Sequence, residues 1–188
     1  MEELLKLNRE DIVRSLKPES LRSIQIIQLA TIIGPVLFFF VCIALNAIAE
    51  GPASGEPEAE MLMLPILGLL FVGALIGAGV VPKVILNPDG LAYRAANLSG
   101  DPLEWALALH RVVMLIRMSL FEMVSIFGLV IIILAVMGNR LGEYPVIWLA
   151  ALPLLILVAY GLVGFPSKTS IAEFIDTRII KPLRQRSG

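Results

Sequence analysis

Four long apolar runs alternate with polar stretches along the chain, at roughly Ile24–Ala47, Met61–Val81, Met118–Met137 and Val146–Gly164. A helix needs about 20 apolar residues to cross a hydrocarbon core of about 30 Å, and each run approaches or exceeds that length. The pattern predicts an all-α, polytopic membrane protein with four transmembrane helices. Ala47-Ile48-Ala49 resembles a small-residue cleavage site at the end of the first run. Cleaved signals have apolar cores of about 7–15 residues, whereas this run covers about 24, so it is expected to stay as a helix.

The segments between the runs predict further helices. Leu4, Leu5, Ile12, Val13 and Leu16 lie among charges in residues 2–16, as in a short interfacial helix. Pro18 followed by Glu19 reads as a helix start, so the first span begins near Pro18. Gly34-Pro35 in its middle removes a backbone bond to the Thr31 carbonyl and invites a kink. Asn87-Pro88-Asp89-Gly90 is a turn signal. Asp101-Pro102, with Glu104 behind, starts a helix with no firm breaker before Gly138. That helix, Pro102 to Met137, measures about 54 Å at 1.5 Å per residue, longer than the bilayer is thick. Near the end of the chain, Ser170 and Glu173 have capping-box spacing and predict a helix of about ten residues. Its apolar stripe, Ile171, Phe174, Ile175 and Ile179, suits a surface of anionic headgroups. The expected organisation is one four-helix membrane domain over residues 1–188. It carries an interfacial segment at 1–17, a cytoplasmic loop and helix start at 82–111, and a basic amphipathic segment at 168–188.

Charge adds orientation. Hydrophobic residues make up 57% of the chain and charged ones 16%, with mean hydropathy +0.86, against about 25% charged in soluble domains. Fourteen of the 15 Lys and Arg flank the spans on one side, in the groups 6–22, 83–117 and 168–186, and only Arg140 lies on the other. Basic residues stay cytoplasmic. Both termini and the middle loop are therefore expected inside, with Glu50–Glu60 outside, in a cytoplasmic (inner) membrane. The single cysteine, Cys42, cannot form an internal disulfide and reads as a small packing residue.

The chemical inventory is short. One histidine, His110, and no clustered His, Cys and acid residues predict no metal site and no cofactor. No basic, aromatic surface points to nucleic acid. His110, Arg111 and Arg117 read as interfacial, the arginine stems reaching to headgroup level. Glu122 stands apart, because an ionisable side chain within a membrane helix is a functional-site hypothesis by default. Ser119 and Ser125 lie three residues to either side of it. Gln28 and Thr31, on a polar stripe with Gln25, are expected at similar depth on the first span. On the second span, Gly73 and Gly77 form a GxxxG pair flanked by Ala74 and Ala78, with Gly79 beyond; such faces let helices approach closely.

A glycine-rich apolar helix, a polar cytoplasmic loop and then Arg117…Leu120-Phe121-Glu122-Met123-Val124-Ser125-Ile126-Phe127-Gly128-Leu129 resembles the proteolipid, or c subunit, of rotary ATP synthases. The resemblance concerns one hairpin, about residues 66–136. It implies that Glu122 matches the family's ion-binding carboxylate, and that Gly73, Gly77 and Gly79 match part of its glycine repeat. The middle loop here is longer, and the first and fourth spans have no counterpart in the two-helix form. The function expected is non-enzymatic. The protein assembles with itself in the lipid bilayer through close helix packing, and Glu122 binds or conducts an ion, a proton before sodium. The alternative is an accessory or assembly subunit of a larger membrane complex, with Glu122 purely structural.

Overall fold

A computed structural model of the chain describes residues 7–49, 55, 57–98 and 100–187, the last two as backbone only. The predicted positions Leu4 and Leu5, most of the Glu50–Glu60 loop, and both chain ends lie outside the described residues. Among the described residues the fold is all-α. Its elements are α1 (Arg9–Ser15), α2 (Pro18–Ile48), α3 (Glu58–Ile85), α4 (Pro88–Ala96), α5 (Pro102–Met137), a 3₁₀ segment (Pro145–Ala151), α6 (Leu152–Val163), α7 (Lys168–Ile175), a π turn (Asp176–Ile180) and α8 (Lys181–Ser187). Four stretches, α2, α3, α5 and the 3₁₀ segment with α6, are long and apolar enough to cross a membrane. The protein is therefore an integral membrane protein.

The chain divides into two compact units. One takes the described residues of 1–27, 78–116 and 165–188; the other takes 28–77 and 117–164.

The first unit has its own apolar core. Ile12 and Leu16 of the N-terminal segment, Leu91 of α4, Ala106 of α5, and Ile171, Ile175 and Ile179 of the C-terminal helices are almost completely buried together. Burying one such Ile or Leu side chain is worth about 1.5–3 kcal/mol against water. This corrects the direction in which the apolar stripes of the two ends were expected to face. The apolar stripe of residues 171–179 faces protein, not headgroups, and so does the apolar side of α1. The turn signal at Asn87 is also a helix start: the Asn87 side chain accepts from the Asp89 N–H and Pro88 takes the first helical position. Arg94 then bonds back to the Ile85 and Gly90 carbonyls, satisfying an acceptor in the last turn of α3.

The C-terminal capping box lies three residues earlier than expected. Ser167 is the N-cap, accepting from the Ser170 N–H while the Ser170 hydroxyl accepts from the Ser167 N–H. Glu173 is instead engaged by Arg9 of α1 at 2.9 Å. Beyond α7 the chain stays helical to Ser187, about twice the predicted length. The Lys181 N–H reaches the Asp176 carbonyl across the π turn, immediately before Pro182, which has no N–H to give. The additional residue keeps Ile179, Ile180 and Leu183 in the core.

In the second unit α5 is the hub. Half of its most apolar window is buried, against 22% for α2 and 11% for α3. The fourth span departs from a simple helix, since its first seven residues, Pro145–Ala151, are 3₁₀. Pro153 cannot donate to the Leu149 carbonyl, which instead accepts from the Leu152 N–H in the tighter 3₁₀ pattern.

Candidate functional site

Two polar features stand out in the second unit, one around Glu122 and one built on Arg140.

Along α5, Met118, Phe121, Val124, Ser125, Gly128, Leu129 and Ile132 are buried, while Ser119, Met123, Ile126 and Val130 form an exposed stripe. Glu122 is half-buried on the flank between the two. Its carboxylate makes no hydrogen bond or ion pair among the described residues. The flanking serines do not serve it. Each step of three residues falls about 60° short of a full turn, so Ser119 and Ser125 diverge around the helix. Ser119 faces outward, and Ser125 is fully buried and donates to the Phe121 carbonyl at 2.7 Å. The expected constellation of Glu122 with two hydroxyls is therefore not assembled by hydrogen bonding within the chain.

Gln28 is 2% exposed and donates from Nε2 to the Gly161 carbonyl of α6 at 2.6 Å. Its Oε1 is buried with no hydrogen-bond partner among the described residues. Thr31, one turn on, is half-buried. Gly161 marks where α2, α5 and α6 converge: a Cβ there would meet Ile32 at 2.2 Å and Met118 at 3.6 Å. Phe121 packs on Tyr160 one residue away, with ring centroids 5.3 Å apart. Glu122 follows Met118 by one helical turn.

The predicted small-residue face of α3 is split. Ala74 and Ala78 are buried, and Gly77 sits against the Leu120 side chain of α5. Gly73 and Gly79 have nothing within 4 Å of where a Cβ would stand. The tightest approach in the second unit is at Gly128, which sequence patterning passes over as a tolerated helix glycine. A Cβ there would lie 2.1 Å from the Ala150 carbonyl oxygen of the 3₁₀ segment.

Arg140 is built into place by its own turn. The end of α5 is a Schellman motif: the Asn139 N–H bonds to the Val136 carbonyl and the Arg140 N–H to the Ala135 carbonyl. Asn139 takes the required left-handed conformation, φ 52°. Gly138 leaves room for the Arg140 side chain to fold back, since a Cβ there would come within 2.6 Å of Arg140 Nε. One guanidinium nitrogen then bonds both carboxylate oxygens of Glu60, at 2.7 and 2.9 Å, and Glu60 is 1% exposed. Glu60 therefore lies in the first turn of α3, paired and buried, and not in a loop. The lone Arg140 was the available signal for this pair, because an isolated base beside four acids invites a partner.

In the first unit, the His110 ring lies edge-on against Phe174, centroids 4.7 Å apart. The histidine is thus packed against protein on one side of its ring. Arg111 is half-buried, with its Nε unbonded among the described residues. Arg117, in the second unit, is half-buried. Among the described residues no three His, Cys, Asp or Glu side chains gather as metal ligands would.

No family model, curated protein or solved structure matches this chain.

Proposed function

We propose that this is a non-enzymatic membrane protein that assembles with copies of itself and uses Glu122 as a protonatable group for an ion, a proton before sodium. The observation that carries the reading is the placement of Glu122 at the flank of the most buried span, with no partner among the described residues. Polar groups at membrane depth need partners, because lipid offers none. A neighbouring copy or a bound ion supplies what this chain does not. The bare α3, with Gly73 open, offers a surface for that neighbour. The hairpin of α3 and α5, in contact at Gly77 and Leu120, is the part that resembles rotary ATP synthase proteolipids. Both termini are proposed to face the cytoplasm of an inner membrane, from the sorting of basic residues.

The test pairs chemistry with subunit counting. A hydrophobic carbodiimide reacts with carboxyl groups in apolar surroundings, so Glu122 is expected to label in the membrane. Glu122→Gln should stay folded and unlabelled. Gly73→Leu should reduce the subunit number in detergent without unfolding. If Glu122 resists the reagent at mildly acidic pH and Glu122→Gln dissolves the assembly, the carboxylate is a structural partner. The accessory-subunit reading then takes over. That reading draws on the first unit, whose separate core leaves Tyr93 73% exposed, a feature suited to protein contact.

A further inference from the structure

We infer that the first half of the fourth span, Pro145–Ala151, exchanges between its 3₁₀ form and an α-helix, and that the Arg140 turn holds it in the longer form. Seven residues is a long 3₁₀ run, since the poorer alignment of its hydrogen bonds keeps most runs to about three or four. Lipid offers no water to make up for weak bonds. The two forms are closely balanced at the end of the segment. In the 3₁₀ form the Leu152 N–H takes the Leu149 carbonyl. In an α-helix it takes the Trp148 carbonyl instead, and the Leu149 carbonyl then faces Pro153, which has no N–H. One form has better-aligned bonds and the other has one more, so neither wins by much.

Packing fits both forms. Ile147, Ala150, Ala151 and Leu154 are buried, at the spacing of one α-helical face. At about 120° per 3₁₀ residue and about 100° per α residue, Ile147 stands about 60° from Leu154 in the first form and about 20° in the second. The contact at Gly128 is made by Ala150, one residue from the end of the segment, so it serves as the pivot. Val146 and Leu149, on the exposed flank, line an apolar groove of about 400 Å³ against α3 and have room to turn. The far end is tethered. An α-helix rises about 0.5 Å less per residue, so conversion draws Tyr144 about 3.5 Å towards α6. The Tyr144 N–H bonds the Arg140 carbonyl at 2.9 Å, and the Arg140 guanidinium bonds Glu60 of α3. A shift of that size exceeds what a hydrogen bond can stretch, so either the Tyr144 bond opens or Arg140 leaves Glu60. The pair therefore opposes the change, and it couples the length of the fourth span to the α3–α5 hairpin.

The experiment uses the full-length protein in lipid nanodiscs, with Cys42→Ser as background and spin labels at Val146→Cys and Val163→Cys, two exposed positions on the span. Electron–electron dipolar spectroscopy reads their separation. Axial rise puts the two backbones about 28 Å apart in the 3₁₀ form and about 25.5 Å in the α form, and a turn of about 100° swings the first label to another side. Two distances are expected, the longer one major. Pro153→Ala supplies the missing N–H and should leave mainly the shorter. Two glycines inserted after Gly142 slacken the tether, as Arg140→Met does by releasing Glu60, and each should raise the share of the shorter distance. A single distance in the background protein overturns the proposal. So does a pair of distances whose shares the loop insertion leaves unchanged, or a folded Pro153→Ala protein that keeps the longer one. The background protein is read first, and the insertion leaves the Glu60–Arg140 pair in place, so the test stands where Pro153→Ala or Arg140→Met fails to fold.

Discussion

Gly128→Ala is the sharpest test of how the second unit is packed. The added methyl would stand 2.1 Å from the Ala150 carbonyl oxygen and 3.2 Å from its carbon. Ordinary carbon-to-oxygen contacts begin near 3.3 Å, so roughly 1 Å of separation must be found. The obstacle is backbone, held in a 3₁₀ segment, and no rotamer change relieves it. Overpacking of this kind costs about 1–3 kcal/mol. Replacing helix glycine by alanine returns up to about 1 kcal/mol, so the net loss lies nearer 1–2 kcal/mol. For a chain of this length that lowers Tm by roughly 2–8 °C. The assay is thermal unfolding in one detergent, followed by Trp fluorescence or by loss of the folded peak on size exclusion. Gly73→Ala is the internal control, since nothing lies within 4 Å of its Cβ position, and it should be neutral or slightly stabilising. Ala150→Gly should not rescue Gly128→Ala, because the clash is with the carbonyl and not the methyl. Wild-type stability for Gly128→Ala would refute the close approach and the hub role of α5 with it.

Other outcomes are expected in the same assay and in labelling. Arg140→Met leaves the Glu60 carboxylate buried and alone, at a cost of about 3–5 kcal/mol, while Glu60→Leu combined with Arg140→Met should recover most of it. Ser167→Ala should cost about 1 kcal/mol through the lost N-cap, whereas Glu173→Gln removes only an exposed ion pair worth about 0.2–1 kcal/mol. A reversed order would restore the capping box at Ser170 and Glu173. With Cys42→Ser as background, Glu58→Cys should react with an impermeant thiol reagent on intact cells and Arg178→Cys only after permeabilisation. The opposite pattern would invert the proposed topology.

The membrane-crossing helices were legible because their signals are long and redundant. Pro18 and Glu19 marked the start of α2, and Asp101 with Pro102 marked that of α5, whose bounds at Pro102 and Met137 match the expectation. The end segments were misread for a specific reason. Isoleucines at helical spacing among charges look alike whether they face headgroups or a protein core. Ile12, Ile171 and Ile175 find one another only through the fold, across more than 150 residues of sequence. The capping boxes at Ser167 and Ser170 compete in the same way. Only Ser170 has the Glu that the spacing rule asks for, and the Ser170 hydroxyl takes that part for Ser167 in the fold.

The candidate site was legible as residues and not as an arrangement. Spacing put Ser119, Glu122 and Ser125 on one stripe, but the drift of the helix carries the first into the exposed face and the last into the core. Gly73 and Gly77 differ by about 40° around α3, enough for Gly77 to meet Leu120 while Gly73 stays open. Water gives no drive to pack apolar helices inside lipid, so close approach and polar partners decide which faces meet. Within this chain those contacts are already taken at Gly77, Gly128 and Gly161, and by the Glu60–Arg140 pair. Among what remains, beside the open Gly68 and Gly79 and the unbonded Gln28 Oε1, Gly73 and Glu122 are an open backbone surface and an acid with no partner among the described residues, on the two helices of one hairpin. A second copy that docked on Gly73 and also met Glu122 would satisfy both at once. Gly73→Leu should then alter carbodiimide labelling of Glu122 as well as subunit number. If it changes one and leaves the other untouched, assembly and the carboxyl are separate properties of the chain.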